Sequence, residues 1–474
     1  MSSKLKTLFV IVGISSMLFR CQEDPKLPAN EVEFEASVAG MTADEESLII
    51  HVNLSREAEA QSTLTFSMET TGVVYGVDFT LDPAPVGNLF VVTIPKGEQQ
   101  GSIVLSKAAG VLLDGDETIT LTLTDANGKL VVGEKSQLVI SFSEIIVAQS
   151  TMNIQGGGPT YPNKVFIDLS ASRQTAVART FWDFGFSSGD DFRVILNSSN
   201  GMMARALDKT DMNAVTANDT VGFGAQLSVA AVFAAISSDP VPVWAATSIN
   251  WIDDPTGDLT KTAIAEVSST ASENKVYIVN KGNGPGSPAT KLGWKKIRVL
   301  RNGEGYVVQH ADINATSFSE IQITKNTSHA FQYVSLANGL VSVEPATGKW
   351  DIAWTGFTNT TPSDVGLVPY YFQDVIVQNT NGVQTVQILT STKTFEAFTE
   401  NDIPADFGSQ SQVKIGSSWR NGGGPYSSPS LKEDRFYLVK DAAGNIYKLK
   451  FTALTQSGER GRPAIAFALV KAGE

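Results

Sequence analysis

The chain repeats one ordered series of strand-like segments after residue 145. Trp182 precedes Tyr277 by 95 residues (277 − 182) and Trp350 precedes Tyr437 by 87 (437 − 350), so the two spacings agree within eight residues. A repeat of this length predicts that each copy is one structural unit. We therefore predict two homologous β-domains, at 150–313 and 314–474. The other landmarks align Phe166 with Phe331, Trp251 with Trp419, and the segment 296–299 with 448–451.

Most of the chain has the sequence pattern of β-strands. Runs rich in Val, Ile, Thr and aromatic residues alternate with polar residues, as in 47–53, 118–124 and 372–378. Pairs such as Asn302-Gly303 separate these runs at short intervals and are typical of hairpin turns. The best helical candidate is 226–236. The pattern predicts an all-β protein.

The N-terminus has the pattern of a bacterial export signal. Two lysines precede an apolar run from Leu8 to Phe19, which is shorter than the ~20 residues of a membrane-spanning helix. Cys21 follows as the only cysteine, with Leu18 three residues before it, as in lipoprotein signals. Arg20 departs from the small residue usual at its position, which leaves secretion without lipid, or uncleaved retention, as alternatives. We predict a signal peptide at 1–20 and lipid attachment at Cys21.

Residues 21–30 form an acidic linker. Gln22, Glu23 and Asp24 resemble the tag that directs such lipoproteins to the outer surface of the cell, and a merely solvated linker is the alternative. We expect an outer-membrane lipoprotein, exposed at the cell surface, that touches the membrane only through its lipid. The net charge of −13 argues against nucleic acid as a partner. Without a second cysteine, an intrachain disulfide, a Cys-ligated zinc and an iron–sulfur site are excluded.

The segment 31–145 carries three short motifs in a fixed order, at 75–79, 92–98 and 114–123. This order resembles the Calx-beta family, an immunoglobulin-like sandwich. In that family, acidic residues at one end of the sandwich bind calcium through oxygen ligands. A hydrated turn without calcium is the alternative. The residues at the matching positions are Asp78, Asp114, Asp116 and Glu117.

The second copy of the repeat resembles the HmuY family of Bacteroidetes lipoproteins, which is named for a haem-binding hemophore. The matching residues are the segment 350–354, Trp419 and the closing stretch 436–451, whose Ala-Gly-Asn turn predicts a hairpin. The first copy is a weaker relative. The resemblance implies a surface protein that binds haem, with haem or host haemoproteins and an outer-membrane receptor as partners.

Haem iron needs one or two axial ligands, which the hemophores of this family supply as a His pair or a Met pair. No His or Met occurs from Trp350 to Glu474, so the second copy holds no such pair unless its ligands arrive from elsewhere. For the methionines that remain, core packing is the alternative, and for the histidines a surface or hydrogen-bonded position. The candidate haem ligands are Met202, Met203, Met212, His310 and His329.

The Trp-Asp pairs indicate structure rather than chemistry. Adjacent strand residues point to opposite faces, so the indole can be buried while the carboxylate accepts the N–H groups of a turn. The glycine runs 155–161 and 421–426 lack a basic residue and a following helix, and they predict flexible surface loops rather than phosphate sites. The residues interpreted as structural are Trp182, Asp183, Trp350 and Asp351.

The sequence lacks most enzyme signatures. No His-Glu-x-x-His, phosphate-loop or dinucleotide motif occurs. The pairs Asp190-Asp191 and Asp253-Asp254 are adjacent in the chain, so neither provides the opposed carboxylates of glycoside hydrolysis, and both are typical of turns. Two non-catalytic functions remain. The first is a haem-acquisition accessory protein with non-standard or lost axial ligands, and the alternative is a cell-surface binding or adhesion protein for carbohydrate or peptide.

Overall fold

A computed structural model describes residues 29–42, 45–108, 117–127, 130–142, 147–423 and 427–473. Strands dominate it, which confirms the all-β prediction. Helix α1 (Val229–Ile236) falls within the predicted helical segment and begins after Ser228, whose hydroxyl accepts the N–H of Ala231 at 3.1 Å. A short helix, α2 (Trp244–Thr247), follows it. In the described part of the chain, no helix combines the length and hydropathy that a membrane span requires.

The N-terminal region is a sandwich of two five-stranded sheets with strand orders β5-β7-β3-β1-β9 and β2-β10-β8-β4-β6. Side chains alternate along these strands between a buried and an exposed face, as in β4, and the buried faces of both sheets form one core around Phe34 and Phe66. The strands are β1 (Asn30–Phe34), β2 (Val38–Gly40), β3 (Ser47–Leu54), β4 (Ser62–Thr71), β5 (Phe79–Asp82), β6 (Leu89–Ile94), β7 (Gln100–Lys107), β8 (Thr118–Ala126), β9 (Leu130–Val132) and β10 (Gln137–Ser141).

The remaining strands form four larger sheets, ordered β11-β30-β29-β28-β25, β13-β12-β23-β24, β15-β14-β21-β22 and β16-β17-β18-β19-β20, and the pair β26-β27. The strands are β11 (Gln149–Asn153), β12 (Asn163–Asp168), β13 (Arg173–Ala178), β14 (Phe184–Ser187), β15 (Val194–Leu196), β16 (Met203–Ala206), β17 (Tyr277–Asn280), β18 (Trp294–Asn302), β19 (Gly305–Ala311), β20 (Ser319–Ile323), β21 (Phe331–Ser335), β22 (Gly339–Val341), β23 (Ile352–Ser363), β24 (Gly366–Gln378), β25 (Gln384–Leu389), β26 (Arg420–Asn421), β27 (Ser430–Leu431), β28 (Arg435–Lys440), β29 (Ile446–Ala453) and β30 (Ala464–Lys471).

The two copies of the repeat exchange their first strands. In the first copy, β11 pairs with β30 and β12 with β23, both of the second copy. In the second copy, β20 pairs with β19 and β21 with β14, both of the first. The predicted boundary at 313/314 falls inside the β19–β20 hairpin, so the strand pairing does not divide the chain there. We therefore define lobe 1 as residues 182–348, and lobe 2 as the described residues of 147–181 and 349–473.

Matching hydrogen bonds relate the two lobes and correct the alignment of the repeat. The carboxylate of Asp183 accepts the N–H of Leu336 at 2.7 Å, and that of Asp351 accepts the N–H of Leu169 at 2.7 Å. Leu169 therefore corresponds to Leu336. Phe166 therefore corresponds to Tyr333, and the predicted alignment of Phe166 with Phe331 is wrong. The aromatic pairs agree with this register, since Trp350 packs edge-on against Phe166 at 5.0 Å and Trp182 against Tyr333 at 4.8 Å.

The correspondence extends into the loops. The ammonium of Lys296 donates to two backbone carbonyl groups, of Val215 and Ala315, each at 2.7 Å. Lys448, at the same strand position in lobe 2, donates to the carbonyl groups of Phe395 and Phe398 at 2.7 and 3.0 Å. Each of these loops continues into a 3-10 helix closed by a Thr-Asp capping box, at 216–219 and 399–402. Equivalent residues can therefore be compared between the lobes.

Candidate functional site

The three candidate methionine ligands lie inside packed cores. Met202 is 1% exposed and belongs to the core of lobe 1, together with Phe184 and Tyr277. Met203 and Met212 belong to a separate apolar cluster on the other face of the same sheet. Because neighbouring strand residues face opposite ways, Met202 and Met203 cannot present their sulfur atoms to one ligand.

The lobe comparison explains two of these methionines by packing. The residue before β16 is Met202 and the residue before β25 is Val383, and both are buried in the core of their lobe. Met212 lies three residues before the carbonyl group that accepts from Lys296, and Phe395 lies three residues before the equivalent carbonyl group in lobe 2. Since apolar side chains without ligand chemistry occupy the same positions in lobe 2, core packing is the better interpretation of Met202 and Met212.

The lobe comparison does not explain His310 by packing. This residue lies on β19 opposite Ile297, and the equivalent pair on β30 and β29 is Phe467 and Leu449. Phe467 is buried in the core of lobe 2, whereas His310 is half-buried. An imidazole therefore occupies a position that lobe 2 fills with a phenyl ring, and packing alone does not require it.

Charged groups surround His310. Burial lowers the pKa of its imidazole and the Lys295 ammonium lowers it further, while the carboxylates of Asp183 and Asp312 oppose both effects. Lys281 pairs with Asp183 at 2.9 Å and Lys295 with Asp312 at 2.5 Å. The lowered pKa keeps the imidazole neutral near pH 7, which is the form that binds a metal ion. We call these five residues the His310 cluster.

His329 cannot act together with His310. It follows β20, where its Nδ1 lies 2.8 Å from the hydroxyl of Ser328. In the β19–β20 hairpin His310 pairs with Ser319 at one end and Tyr306 with Ile323 at the other, and His329 continues from the Tyr306 end. Four residues of strand separate these ends by about 13 Å. Two nitrogens on one iron lie only about 4 Å apart, because metal–nitrogen bonds are about 2 Å long.

The residues predicted for calcium and lipid are only partly described. Asp78 accepts the N–H of Val74 at 2.8 Å, as expected for a turn acid. Glu117 precedes β8. Asp114, Asp116 and Cys21 lie outside the described residues. Within the described ranges, no three His, Cys, Asp or Glu side chains are grouped so that they could hold a metal ion. Calcium binding and lipid attachment therefore stay predictions.

The Trp-Asp pairs have the structural role predicted for them. Both indoles are buried, and both carboxylates accept the amide of a neighbouring turn. Two further residues, which the sequence analysis did not single out, complete the motif. The side-chain amide of Asn197 donates to the carbonyl group of Trp182 at 2.8 Å, and that of Asn379 donates to the carbonyl group of Trp350 at 3.0 Å. An Asn directly after the second strand of each hairpin that follows a Trp-Asp pair was the available signal.

The first glycine run is not the flexible surface loop that was predicted. A Cβ on Gly156 would lie 2.2 Å from the carbonyl oxygen of Gly461, so the two loops touch backbone to backbone. The run ends at buried Tyr161, whose hydroxyl donates at 3.1 Å to Asp374, a fully buried carboxylate that also pairs with Arg460. The run is therefore anchored to lobe 2 by buried Gly156 and Tyr161, while Gly157, Pro159 and Thr160 are exposed. Residues 424–426 of the second run lie outside the described residues.

A cleft of about 590 Å³ separates the N-terminal sandwich from lobe 2. The hydrogen bonds that cross it include those from Gln100 to Gln155 at 2.9 Å and from Arg462 to Gln99 at 2.6 Å. None of the five candidate haem ligands lines it. Its lining is mainly polar and includes Glu31, Glu33, Glu35, Asn53, Glu57, Glu98, Asn153, Asn163, Gln174 and Gln456.

Comparison with known proteins places this geometry in a family. The family model described as "HmuY protein" matches residues 160–467. A search of curated proteins finds no match. Among solved structures, the apo Calx CBD1 domain is 12% identical, with 24% of this chain and 96% of that chain covered and a TM-score of 0.20. A Bacteroides ovatus protein of unknown function is 7% identical, with 94% and 96% covered and a TM-score of 0.18. These structural likenesses are too weak to carry an argument.

Proposed function

We propose a haem-binding function from the premise that this chain belongs to the HmuY family, whose model matches residues 160–467. The protein binds haem without chemical turnover, as an accessory in haem acquisition. His310 is its only protein ligand to the iron. The absence of a His or Met pair makes this a non-standard member of the family.

The observation that carries the proposal is the exchange of Phe467 for His310 between the lobes. A neutral imidazole supplies the nitrogen that haem iron takes as an axial ligand. Lys281 and Lys295 place two ammonium groups beside it, which can pair with the propionates of haem in exchange for Asp183 and Asp312. The His310 cluster thus combines the donor and the cations that haem requires.

The cellular setting follows from the sequence pattern alone. Lipid on Cys21 anchors the protein at the outer membrane, and the acidic residues after it direct the protein to the outer surface. There it takes up haem, free or from host haemoproteins, and passes it to an outer-membrane receptor. Fractionation of cells and metabolic lipid labelling, with Cys21→Ala as the control, test this placement.

Haem titration of the soluble chain that begins after Cys21 tests the binding. We expect a saturable Soret band with the spectrum of a five-coordinate, high-spin ferric haem, since one protein ligand is available. His310→Ala should raise the Kd at least tenfold, because it removes that ligand. His329→Ala is the matched control and should leave the Kd unchanged. A titration without saturation, or equal affinity of His310→Ala and the parent, would refute the proposal.

One observation supports the alternative, a cell-surface binding protein for carbohydrate or peptide. The cleft between the sandwich and lobe 2 is lined by side-chain amides, which donate to and accept from sugar hydroxyls and peptide groups, and by carboxylates, which accept from them. Its volume of about 590 Å³ falls within the ~300 to 1,000 Å³ usual for ligand sites. A glycan array probed with the parent and with Gln174→Ala tests this function, and equal patterns from the two proteins would exclude the cleft.

A further inference from the structure

Strand β6 forms one edge of a sheet in the N-terminal sandwich. In the order β2-β10-β8-β4-β6 its single neighbour among the described strands is β4. The two strands pair antiparallel without a bulge, from Ser62 opposite Ile94 to Ser67 opposite Leu89. The open edge of such a strand is a template on which another strand can add.

The backbone groups of alternate β6 residues point away from β4. The carbonyl group of Asn88 accepts the N–H of Met68 at 2.8 Å, so the even-numbered residues of β6 face β4. Thr63 of β4 agrees with this register, because its carbonyl group accepts from Asn127, which follows β8, at 3.0 Å and does not face Thr93. The odd-numbered residues of β6 therefore direct their N–H and C=O groups to the open edge.

Two of these odd-numbered residues have free backbone groups. Leu89 uses its own, since it donates to the carbonyl group of Val86 at 3.4 Å and accepts the N–H of Val86 at 2.8 Å. Pro95 has no N–H group to offer. Val91 and Thr93 lie between these limits, and no group in the described ranges forms a hydrogen bond with their N–H or C=O groups. The open edge is therefore two residues with one residue between them.

The side chains of β6 lack the usual protection of an edge strand. Charges, prolines or bulges within an edge strand normally oppose the addition of another strand. Edge strand β20 carries Glu320, and edge strand β11 exposes only polar side chains. In contrast, no charged residue occurs from 83 to 95, and Leu89 and Val91 are 47% and 44% exposed. The edge therefore fits an uncharged, extended strand.

The charge of the chain favours a second copy of β6 as that strand. The net charge is −13, so two copies repel each other wherever their acidic surfaces meet. At the β6 edge they can approach without bringing like charges together. Two identical strands that pair antiparallel are related by a two-fold axis, which is the symmetry of most protein dimers.

We propose that β6 pairs antiparallel with β6 of a second copy, across a two-fold axis at Val92. Val91 of each copy then lies opposite Thr93 of the other, and each such pair exchanges both N–H···O bonds. Leu89, whose groups are used, lies opposite Pro95, which has no N–H. This register satisfies every free backbone group of the edge and joins the two sheets into one. Because few residues take part, the dimer is weak and depends on concentration.

Sedimentation velocity of the soluble chain that begins after Cys21 tests the dimer. We expect a species of about twice the monomer mass that grows with concentration. Val91→Lys should raise the dissociation constant at least tenfold, because it places like charges on both sides of the edge. Ile49→Lys is the matched control, since Ile49 is 56% exposed on β3, which has a neighbour on each side, and it should leave the dimer unchanged. A monomeric parent, or equal weakening by the two variants, would overturn the proposal.

Disulfide cross-linking tests the register. The soluble chain has no cysteine of its own, because Cys21 is the only one in the sequence. After mild oxidation, an equimolar mixture of Val91→Cys and Thr93→Cys should give a covalent dimer, because the two cysteines face each other across the axis. Either variant alone should not, since its cysteine faces a residue without a thiol. A covalent dimer from one variant alone, or none from the mixture, would overturn the pairing.

Discussion

Asp183 in lobe 1 and Asp351 in lobe 2 occupy equivalent positions, but the charge of each carboxylate is neutralised in a different way. In lobe 1, Asp183 pairs with Lys281 at 2.9 Å. In lobe 2 the residue at the position of Lys281, the first after the paired strand β28, is Asp441. Burial raises the pKa of Asp351 well above its usual range, and the charges of Asp168 and Asp441 raise it further. The comparison shows that the side chain at this position needs an oxygen that accepts the N–H of the turn, but does not need a negative charge.

The largest effect on this comparison should come from removing the carboxylates. Asp183→Ala leaves Lys281 without its partner in a mostly buried position, and we expect a loss of about 3–5 kcal/mol in the free energy of unfolding. Asp351→Ala removes a hydrogen bond but also relieves repulsion, so a smaller loss of about 1–3 kcal/mol is expected. Denaturant unfolding measures both, and an equal loss would show that Lys281 does not distinguish the lobes.

Exchanging the residues at the His310 position is the next test. Phe467→His places a polar ring in the core of lobe 2 and should cost about 1–3 kcal/mol of stability. His310→Phe should leave the free energy of unfolding unchanged or raise it, and should abolish haem binding. Thermal unfolding and haem titration of both variants provide the readouts. A large loss of stability in His310→Phe would mean that the imidazole serves the fold.

Asparagine substitutions should change stability in opposite directions in the two lobes. At pH 7 Asp183→Asn should lower the free energy of unfolding by only about 1 kcal/mol, because the amide oxygen can still accept from Leu336 and from the Lys281 ammonium although the opposite charge is lost. Asp351→Asn should raise it by about 1 kcal/mol, because the amide accepts the turn N–H without the proton that the carboxyl group must take up on folding.

The pH dependence gives an independent check on Asp351. A carboxyl group whose pKa is raised by folding stabilises the native state below its unfolded pKa of about 3.9, and this contribution is lost as the pH rises through the folded value. The parent should therefore lose this contribution as the pH rises from about 4 towards the raised pKa of Asp351, and Asp351→Asn should not. Parallel stability curves for the two proteins would contradict the assignment.

The smallest effects should follow from giving lobe 1 the apolar residues of lobe 2. Met202→Val and Met212→Phe exchange one core side chain for another, so we expect changes within about 1.5 kcal/mol in stability. Haem affinity should stay that of the parent. A loss of haem binding in either variant would show that the exchanged methionine is an iron ligand. The comparison of the lobes would then explain only how these side chains pack.

Sequence reasoning assigned the structural role of the Trp-Asp pairs from local pattern. The opposite faces of Trp182 and Asp183 follow from strand geometry, and the structure shows both roles. His310 was one of five candidates, and the sequence offered no way to rank it. The structure distinguishes His310 from the other four candidates, because its pairing with Ile297 shows that it is the equivalent of Phe467 in lobe 2.

By itself the sequence determined the all-β class, the order of the repeated strands and the face that each side chain takes. These properties depend on the alternation of polar and apolar residues over a few positions, which is local. Only the tertiary structure decided which copy each strand joins and in which register, so that Phe166 corresponds to Tyr333 and β12 pairs with β23. The physical reason is that alternation specifies a buried face but not a partner. Two lobes with matching strands offer nearly equal partners, and the choice between them depends on packing across the whole chain.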